Sequence, residues 1–272
     1  KADDDVVLVS RSQSRAEQTY TASQLRARVS EARAGLQAAG VGVGDRVVAY
    51  SPNIPETLIY FLAAASLGAI FSSCAPEFGT QSVIDRWRQI EPKVLLAVDG
   101  YQFGSKQIDR QDQVAKIRAE LPSLTSTIYL PYLDPQATPP AGAILWSEFL
   151  VAGSPLPPEQ LEFEPLAFDA PLYVLFSSGT TGLPKPIVHG HGGITLEHVK
   201  SLGLQLDLGA DDRFFWFSTT GWMMWNFLVS GLGVGSVVVM FDGDPGYPDL
   251  GALWRDAGEL GVTVFGTSAP FL

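Results

Sequence analysis

Short apolar runs alternate along the chain with segments of helical periodicity, and this alternation constrains the fold more than any other feature. Apolar runs typical of strands lie at residues 6–9, 46–50, 69–73, 94–98, 127–130, 172–176, 214–217, 237–241 and 262–265. Several of them are apolar throughout, which is typical of strands buried on both faces. The pattern predicts an α/β fold with mostly parallel sheets covered by helices.

The helices between these runs are marked by periodicity and by their end residues. The first is predicted from about residue 22 to residue 40, because apolar residues recur there at spacings of three and four. The next is predicted from Pro55, since proline is favoured in a first turn, to Gly68. Further helices are predicted around residues 83–90, 114–121, 192–206, 222–232 and 250–260.

Prolines interrupt this rhythm in the middle of the chain. Eight prolines fall between residues 131 and 170, which predicts a mostly extended loop there. We therefore expect a first α/β unit at residues 1–130 and a second at 171–272. The segment 131–170 would be a proline-rich crossing between them, and the second unit would be incomplete.

The charge and composition exclude several classes of partner. The chain has 18 Lys and Arg against 29 Asp and Glu, a net charge of −11, and its basic residues form no cluster, so nucleic acid is not expected. The longest apolar stretch, residues 58–71, is shorter than the ~20 residues of a membrane span, so no membrane partner is expected. Cys74 is the single cysteine, which excludes an intrachain disulfide and favours the cytoplasm.

The ends of the chain suggest a piece of a longer polypeptide. The chain begins at Lys1 rather than Met, without a visible secretory leader. It stops at Leu272, after a Gly-Thr-Ser-Ala-Pro turn typical of a helix start.

One nine-residue loop carries the clearest chemical signal. It follows an apolar strand and reads Ser177-Ser178-Gly179-Thr180-Thr181-Gly182-Leu183-Pro184-Lys185. Glycines let backbone N–H groups turn toward an anion, and hydroxyls add further donors. The lysine is isolated, because residues 119–184 contain seven acids and no Lys or Arg. The loop is predicted to bind a phosphate group, and a solvated turn is the alternative.

Other known phosphate loops, hydrolase motifs and metal sites fit the chain less well. A Walker A loop needs Gly-Lys-Ser/Thr, but Lys185 lies between Pro184 and Pro186. Neither a dinucleotide fingerprint nor a Gly-x-Ser-x-Gly elbow is present. His189 and His191 have poor spacing for zinc, so we interpret them as contacts of the loop or of a nucleotide and predict no metal site.

Residues 178–185 resemble the phosphate-binding signature of the adenylate-forming superfamily, which includes acyl-CoA synthetases, luciferases and peptide-synthetase adenylation domains. Residues 53–56, 67–70, 76–79, 221–222 and 239–249 are similar to short-chain acyl-CoA synthetases. Residues 90–95 and 185–193 resemble the acetoacetyl branch of that family. Most of the superfamily has glycine after the lysine, and Pro186 is interpreted as a mark of this branch, with a neutral change as the alternative.

This resemblance implies a larger N-terminal domain, of which the chain is a part, and a two-step reaction on small molecules. The substrates would be acetoacetate, ATP and CoA, with Mg²⁺ as the activating ion. Thr180 and Lys185 would be catalytic, and the residues around the β- and γ-phosphates would be Ser177, Ser178, Gly179, Thr180, Thr181, Gly182 and Lys185. The adenine-, ribose- and metal-binding segments and a small C-terminal domain would lie beyond residue 272.

The resemblance also implies further site residues, which lie in less specific motifs. Trp222 matches an aromatic residue between the carboxylate pocket and the path of the thiol, and Met223 and Met224 would line the acyl pocket; ordinary core packing is the alternative. Lys106 is a candidate contact of a CoA phosphate. Other functions left open are a noncatalytic nucleotide-binding fragment, a synthetase for another short acid such as acetate, and a phosphotransferase. The sequence does not predict an oligomeric state.

Overall fold

The predicted α/β class is confirmed by a computed structural model, which describes residues 1–177 and 182–271. Its strands are β1 (Val6–Ser12), β2 (Gln18–Thr21), β3 (Arg46–Tyr50), β4 (Ile70–Cys74), β5 (Val94–Val98), β6 (Gly100–Phe103), β7 (Lys106–Asp109), β8 (Ser126–Leu130), β9 (Ala143–Leu145), β10 (Pro171–Ser177), β11 (Lys185–Gly190), β12 (Arg213–Trp216), β13 (Val237–Asp242) and β14 (Val264–Gly266). Its α-helices are α1 (Ala22–Ala38), α2 (Pro55–Ser66), α3 (Thr80–Trp87), α4 (Gln111–Glu120), α5 (Trp146–Val151), α6 (His191–Lys200), α7 (Met223–Val229) and α8 (Ala252–Glu259). None of these helices is long and apolar enough to cross a bilayer.

The first two helices begin and end where local chemistry predicts. The hydroxyl of Thr21 accepts a hydrogen bond from the backbone N–H of Gln24, whose side chain accepts one from the Thr21 N–H, which forms a capping box at the start of α1. Gly40 follows α1 with a φ of 78°. Pro55 opens α2, and Gly68, with a φ of 68°, follows its end. Positive φ favours glycine because it has no Cβ.

Seven strands form the larger sheet, in the order β11-β10-β4-β3-β5-β8-β9. The strands from β10 to β9 are parallel, and β11 is antiparallel to β10 at one edge. Side chains alternate between its two faces, so that Val47 packs in the cluster with α1 and α2, and Val48 packs in the cluster with α3 and α4. All five residues of β5 are buried, as expected for a strand covered on both faces.

The second sheet has five strands, in the order β14-β12-β13-β1-β2. Each sheet takes strands from both sides of the 131–170 segment, since β1 pairs with β13 and β10 pairs with β4. The sheets therefore do not follow the limits of the two predicted units. The domain division at 131–170 stays a prediction.

The proline-rich segment contains more regular structure than its composition indicates. It is largely irregular, but it includes β9, α5 and a short 3₁₀ helix at Pro158–Gln160. Helix α5 lies directly on α1, where Gly35 leaves room for the backbone and ring of Phe149. Gly35 and Phe149 are far apart in the sequence, so no local pattern predicts this contact.

Strand β11 is also absent from the sequence prediction. It contains a proline, a histidine and a glycine and no continuous apolar run, and it lies at the edge of the sheet. Edge strands tolerate proline, because the missing N–H would otherwise face away from the ladder. The helix predicted at 192–206 is α6 followed by a π-helical turn at Ser201–Gln205.

Candidate functional site

Strands β10 and β11 flank the predicted phosphate loop and bring its two ends together. Ser177 is the last residue of β10 and lies opposite Lys185, the first residue of β11. Because β10 is parallel to β4, the loop lies at the carboxyl ends of the parallel strands, where ligands bind in open α/β sheets. Four predicted loop residues lie outside the described part of the chain: Ser178, Gly179, Thr180 and Thr181.

The described residues of the loop are open to a ligand. Lys185 is exposed and forms no ion pair within residues 1–177 and 182–271. Gly182 has a φ of 100°, and no atom of the described residues lies within 4 Å of the position of a Cβ there. The loop is anchored from outside, because the side-chain amide of Gln89 donates a 2.8 Å hydrogen bond to the Pro184 carbonyl. The end of the loop is held in place at Pro184, and the adjacent Lys185 is exposed, so the loop is suited to bind an anion.

The carboxyl ends of the two sheets meet beside this loop. The Ser73 hydroxyl donates to the Thr220 carbonyl at 2.6 Å, and the Thr220 hydroxyl donates to the Ser51 carbonyl at 2.7 Å. The indole N–H of Trp225 donates to the side-chain oxygen of Asn53 at 2.9 Å. These buried bonds hold the segment before α7 against the ends of β3 and β4.

Two of the family-like segments contact each other at this junction. A Cβ at Gly221 would overlap the ring of Phe78. Glycine at 221 therefore lets the 76–79 segment pack against the chain just before Trp222. Residues 76–79 and 221–222 both carry the family resemblance, but their contact is visible only in the fold.

An open cavity of about 470 Å³ lies between α6 and α7, and we call it the α6–α7 cavity. Met223 and Met224 line it, and their role in an acyl pocket stays a prediction. Trp222 does not line it: its side chain is 62% exposed at the start of α7. The other lining residues are His189, Ile194, Glu197, His198, Ser201, Gln205, Leu206, Trp216 and Phe227.

Strand β11 connects the phosphate loop to this cavity. Lys185 is its first residue and His189 its fifth, so both side chains lie on the same face of the strand, about 13 Å apart. His189 packs against Tyr173, with ring centroids 5.1 Å apart, and burial lowers its pKa. His191 begins α6 and lines other grooves, with its Nε2 buried and without a partner in the described residues.

His198 is a cavity residue that sequence reasoning missed. It lies in α6, is 6% exposed, and its Nδ1 is 2.7 Å from the Ser230 hydroxyl. Its pKa is lowered, mainly by burial and to a smaller extent by the nearby His189, so the ring is neutral near pH 7. In the sequence, His198 is marked only by its position seven residues, or two helical turns, after His191. That spacing does not predict a contact with α7.

A buried carboxyl group at the end of β13 was also missed. Asp242 is 5% exposed and accepts a 2.7 Å hydrogen bond from the Tyr132 hydroxyl, which is 2.5 Å from the Ser12 hydroxyl. Burial raises the pKa of Asp242 to about 7, although the Tyr132 hydrogen bond opposes the shift. Asp242 does not line the α6–α7 cavity.

Lys106 lies on an exposed hairpin formed by β6 and β7. The hairpin follows β5 directly, so it is on the same edge of the sheet as the phosphate loop. The side-chain oxygen of Gln13 accepts hydrogen bonds of 2.9 Å from the N–H groups of Gly104 and Asp244, which ties the hairpin to the chain after β13. Within the described residues, no three His, Cys, Asp or Glu side chains are placed to hold a metal ion.

Comparisons with known proteins agree along the whole chain. A family model described as AMP-binding enzyme matches residues 1–272. The acetoacetyl-coenzyme A synthetase of Rhizobium meliloti (strain 1021) is 45% identical over 269 residues, which cover 97% of this chain and 40% of that protein. The acetoacetyl-CoA synthetase of Danio rerio is 38% identical over 278 residues, covering 100% of this chain and 41% of that protein.

A solved structure gives the same result. Acetoacetyl-CoA synthetase from Streptomyces lividans superposes with a TM-score of 0.93 at 48% sequence identity, over 98% of this chain and 40% of that one. The chain therefore spans about 40% of the length of the relatives it matches.

Proposed function

The chain belongs to the family of AMP-binding enzymes, and from this premise we propose that the protein carrying it is an acid–thiol ligase for acetoacetate. A carboxylate oxygen of acetoacetate attacks the α-phosphorus of ATP, pyrophosphate leaves, and an acyl-adenylate forms. The CoA thiolate then attacks the acyl carbon and AMP leaves. The products are acetoacetyl-CoA, AMP and pyrophosphate.

The observation that carries this proposal is the position of β11. Its first residue is the exposed lysine of the predicted phosphate loop, and its fifth residue lines a mostly apolar cavity on the same face, about 13 Å along the strand. Formation of an acyl-adenylate from ATP and an acid needs both environments, one for the phosphates of ATP and one for the acyl chain. The acetoacetyl-CoA synthetases similar to this chain support acetoacetate as the acid.

The loop would hold the phosphates by position and charge. Lys185 would donate to phosphate oxygens, and backbone N–H groups and hydroxyls would surround the β- and γ-phosphates; these residues are Ser177, Ser178, Gly179, Thr180, Thr181 and Gly182. Mg²⁺ bound with ATP supplies further neutralisation of phosphate charge. We assign the ion no ligand within the described residues, which lack a suitable cluster.

The acyl chain would lie in the α6–α7 cavity against Met223 and Met224. Trp222, exposed at the start of α7, would stand between the carboxylate and the entering thiol. Replacing Met224 by alanine should shift the ratio of kcat/KM values toward acids bulkier than acetoacetate, while the dependence on ATP stays the same. A ratio that stays flat across Met223 and Met224 variants would assign both residues to core packing.

We further propose that Lys106 contacts a phosphate of CoA. The residue is exposed, and its hairpin lies at the same sheet edge as the phosphate loop. Lys106→Ala should therefore raise the KM for CoA and leave the first half-reaction, which needs no CoA, unchanged.

Exchange of labelled pyrophosphate into ATP tests the proposed function in the complete protein. Exchange that depends on acetoacetate, with AMP as the product when CoA is added, supports the ligase. A preference for acetate would assign another short acid, and formation of ADP would assign a phosphotransferase. The absence of exchange with any short acid would favour noncatalytic nucleotide binding.

A further inference from the structure

The turn before α7, residues 219–222, carries Trp222 at its end. The N–H of Trp222 donates a 3.1 Å hydrogen bond to the Thr219 carbonyl, which closes the turn. Trp222 itself is 62% exposed, so its indole ring lies outside the packed core. The position of an exposed ring depends on the backbone that carries it, and the turn therefore determines where Trp222 lies.

This turn is fixed at one residue and followed by a glycine. Two buried hydrogen bonds hold Thr220, one through its hydroxyl and one through its carbonyl. Gly221 lies between this fixed point and Trp222. Because glycine has the widest choice of backbone dihedral angles, it is the position at which the turn could change direction. Trp222 keeps one position only if a neighbour restricts Gly221.

The ring of Phe78 fills the space at Gly221. The position of a Cβ on Gly221 lies 2.5 Å from Cζ of Phe78 and 3.0 Å from each of its two Cε atoms, so the tip of the ring points at the glycine. Gly221 does not have a positive φ. Glycine is therefore required here by the closeness of the ring and not by an unusual backbone conformation.

The segment that carries this ring is itself held in place. The Tyr50 hydroxyl lies 2.9 Å from the Pro76 carbonyl oxygen and 3.2 Å from that of Phe78, and it donates its hydrogen to this pair. Arg110 Nε donates to the Pro76 carbonyl at 2.7 Å. The guanidinium carbon of Arg86 lies over the ring, 5.2 Å from its centre. Moving the ring would disturb these contacts.

We propose that Phe78 is a positioning residue for Trp222 in the transfer of the acyl group to CoA, and that it acts by holding Gly221 in one conformation. This inference rests on the function proposed above and on the place given there to Trp222. It adds to the site a residue from the segment between β4 and α3, far from Trp222 in the sequence.

The arrangement assigns Phe78 to the second half-reaction. Phe78 does not line the α6–α7 cavity, and the end of the phosphate loop is held by Gln89, so activation of the acid by ATP uses other contacts. In the second half-reaction the thiolate sulfur forms a bond to the acyl carbon, and AMP leaves with the electron pair of the C–O bond. Displacing a group beside the reacting atoms by roughly 1 Å costs up to about a hundredfold in rate.

Two rates of the complete protein test the proposal: exchange of pyrophosphate into ATP with acetoacetate, and formation of acetoacetyl-CoA over a range of CoA concentrations. Phe78→Ala should lower kcat/KM for CoA about tenfold and leave exchange within about threefold of the unmodified protein. Gly221→Ala should lower kcat/KM for CoA as well, because its methyl group displaces the ring. If Phe78→Ala does not fold, Phe78→Leu, which keeps an apolar side chain, takes its place.

The control for Gly221→Ala is Gly42→Ala. No atom of the described residues lies within 4 Å of a Cβ at Gly42, and its φ is not positive, so both rates should stay as in the unmodified protein.

A double variant separates positioning of Trp222 from direct contact with CoA. Trp222→Ala alone should lower kcat/KM for CoA. Adding Phe78→Ala should lower it no further, because the ring that Phe78 positions is already gone. If Phe78 contacted CoA directly, the two losses would multiply instead.

Each outcome decides the proposal. A loss in the CoA step with exchange retained, and no further loss in the double variant, supports it. An unchanged CoA step in Phe78→Ala, equal losses in both half-reactions, or losses that multiply overturn it while leaving the ligase function intact. The absence of acid-dependent exchange in the unmodified protein overturns the ligase function, and this inference with it.

Discussion

At the scale of single residues, Lys185 is the side chain on which the phosphate interpretation depends most. It ends a stretch of 66 residues, 119–184, that has no other basic residue, and it stays free of ion pairs in the described structure. Lys185→Ala in the complete protein should weaken ATP use by about 1–3 kcal/mol, the range for a lost charge-assisted hydrogen bond. Exchange rates over a range of ATP concentrations measure this effect.

The matched control for that change is Lys116→Ala, which removes an exposed lysine from α4. It should leave the ATP dependence as it is. Equal ATP dependence in both variants would contradict a phosphate contact for Lys185.

Asp242 predicts a dependence of stability on pH. Its pKa in the folded protein, about 7, lies above the ordinary aspartate value, so the folded state binds the proton more tightly than the unfolded state. The contribution of this group to stability is therefore greatest below about pH 4 and is lost as the pH rises toward 7. Between pH 5 and pH 8 the loss should be about 2–3 kcal/mol.

Asp242→Asn should remove this part of the pH dependence. Urea-unfolding midpoints at pH 5 and pH 8 should differ less in the variant than in the unmodified protein. Asp211→Asn, which changes an exposed aspartate, should keep the original difference. The same pH response in all three proteins would mean that Asp242 does not titrate as its burial indicates.

At the scale of elements, two helical glycines differ in their surroundings, so that a Gly→Ala change should destabilise the protein at one position and stabilise it at the other. A Cβ at Gly35 in α1 would overlap the carbonyl oxygen of Phe149 and lie 2.6 Å from its ring, whereas a Cβ at Gly258 in α8 would meet nothing within 4 Å. Gly35→Ala should destabilise the protein by about 1–3 kcal/mol, because α5 must move away from α1. Gly258→Ala should stabilise it by up to about 1 kcal/mol through helix propensity.

Thermal or urea unfolding of both variants measures the change in the free energy of unfolding. Each variant is the control for the other, because the expected changes have opposite signs. Equal effects would mean that α5 adjusts on α1 without cost. The result would also report whether the 131–170 segment is held as closely as the contact at Gly35 indicates.

At the scale of the whole molecule, the chain spans about 40% of the length of its relatives. We propose that the 272 residues alone form no acetoacetyl-CoA. Orientation of reactants supplies up to ~7–11 kcal/mol in reactions of this kind, and the family resemblance implies that the contacts to adenine and ribose lie outside these residues. Weak binding of ATP or pyrophosphate should remain.

A coupled assay with ATP, acetoacetate and CoA tests this, with the complete protein as the positive control. Calorimetry of the 272-residue chain with pyrophosphate measures the residual binding. Turnover by the short chain would show that it contains every contact the reaction needs.

Elements whose signals are local could be predicted from the amino-acid sequence. The strands at 46–50 and 94–98 have the predicted ends, and Pro55 and Gly68 bracket α2 as expected. A run of apolar residues, a first-turn proline or a left-handed glycine depends on neighbours within a few residues, so these features can be predicted without the fold. The same is true of the loop motif, which is contiguous in the chain.

Features that depend on residues distant in the sequence are set by the packing of the folded chain. The sequence does not show that β1 joins the sheet of β13, because strand partners are chosen by contacts more than 200 residues apart. Nor does it show that Ser230, just after α7, lies 2.7 Å from the Nδ1 of His198, or that Asp242 is buried and accepts a hydrogen bond from Tyr132. A local pattern predicts whether a residue lies in a helix or strand, but burial and hydrogen-bond partners are properties of the packed molecule, and these set the chemistry of a side chain.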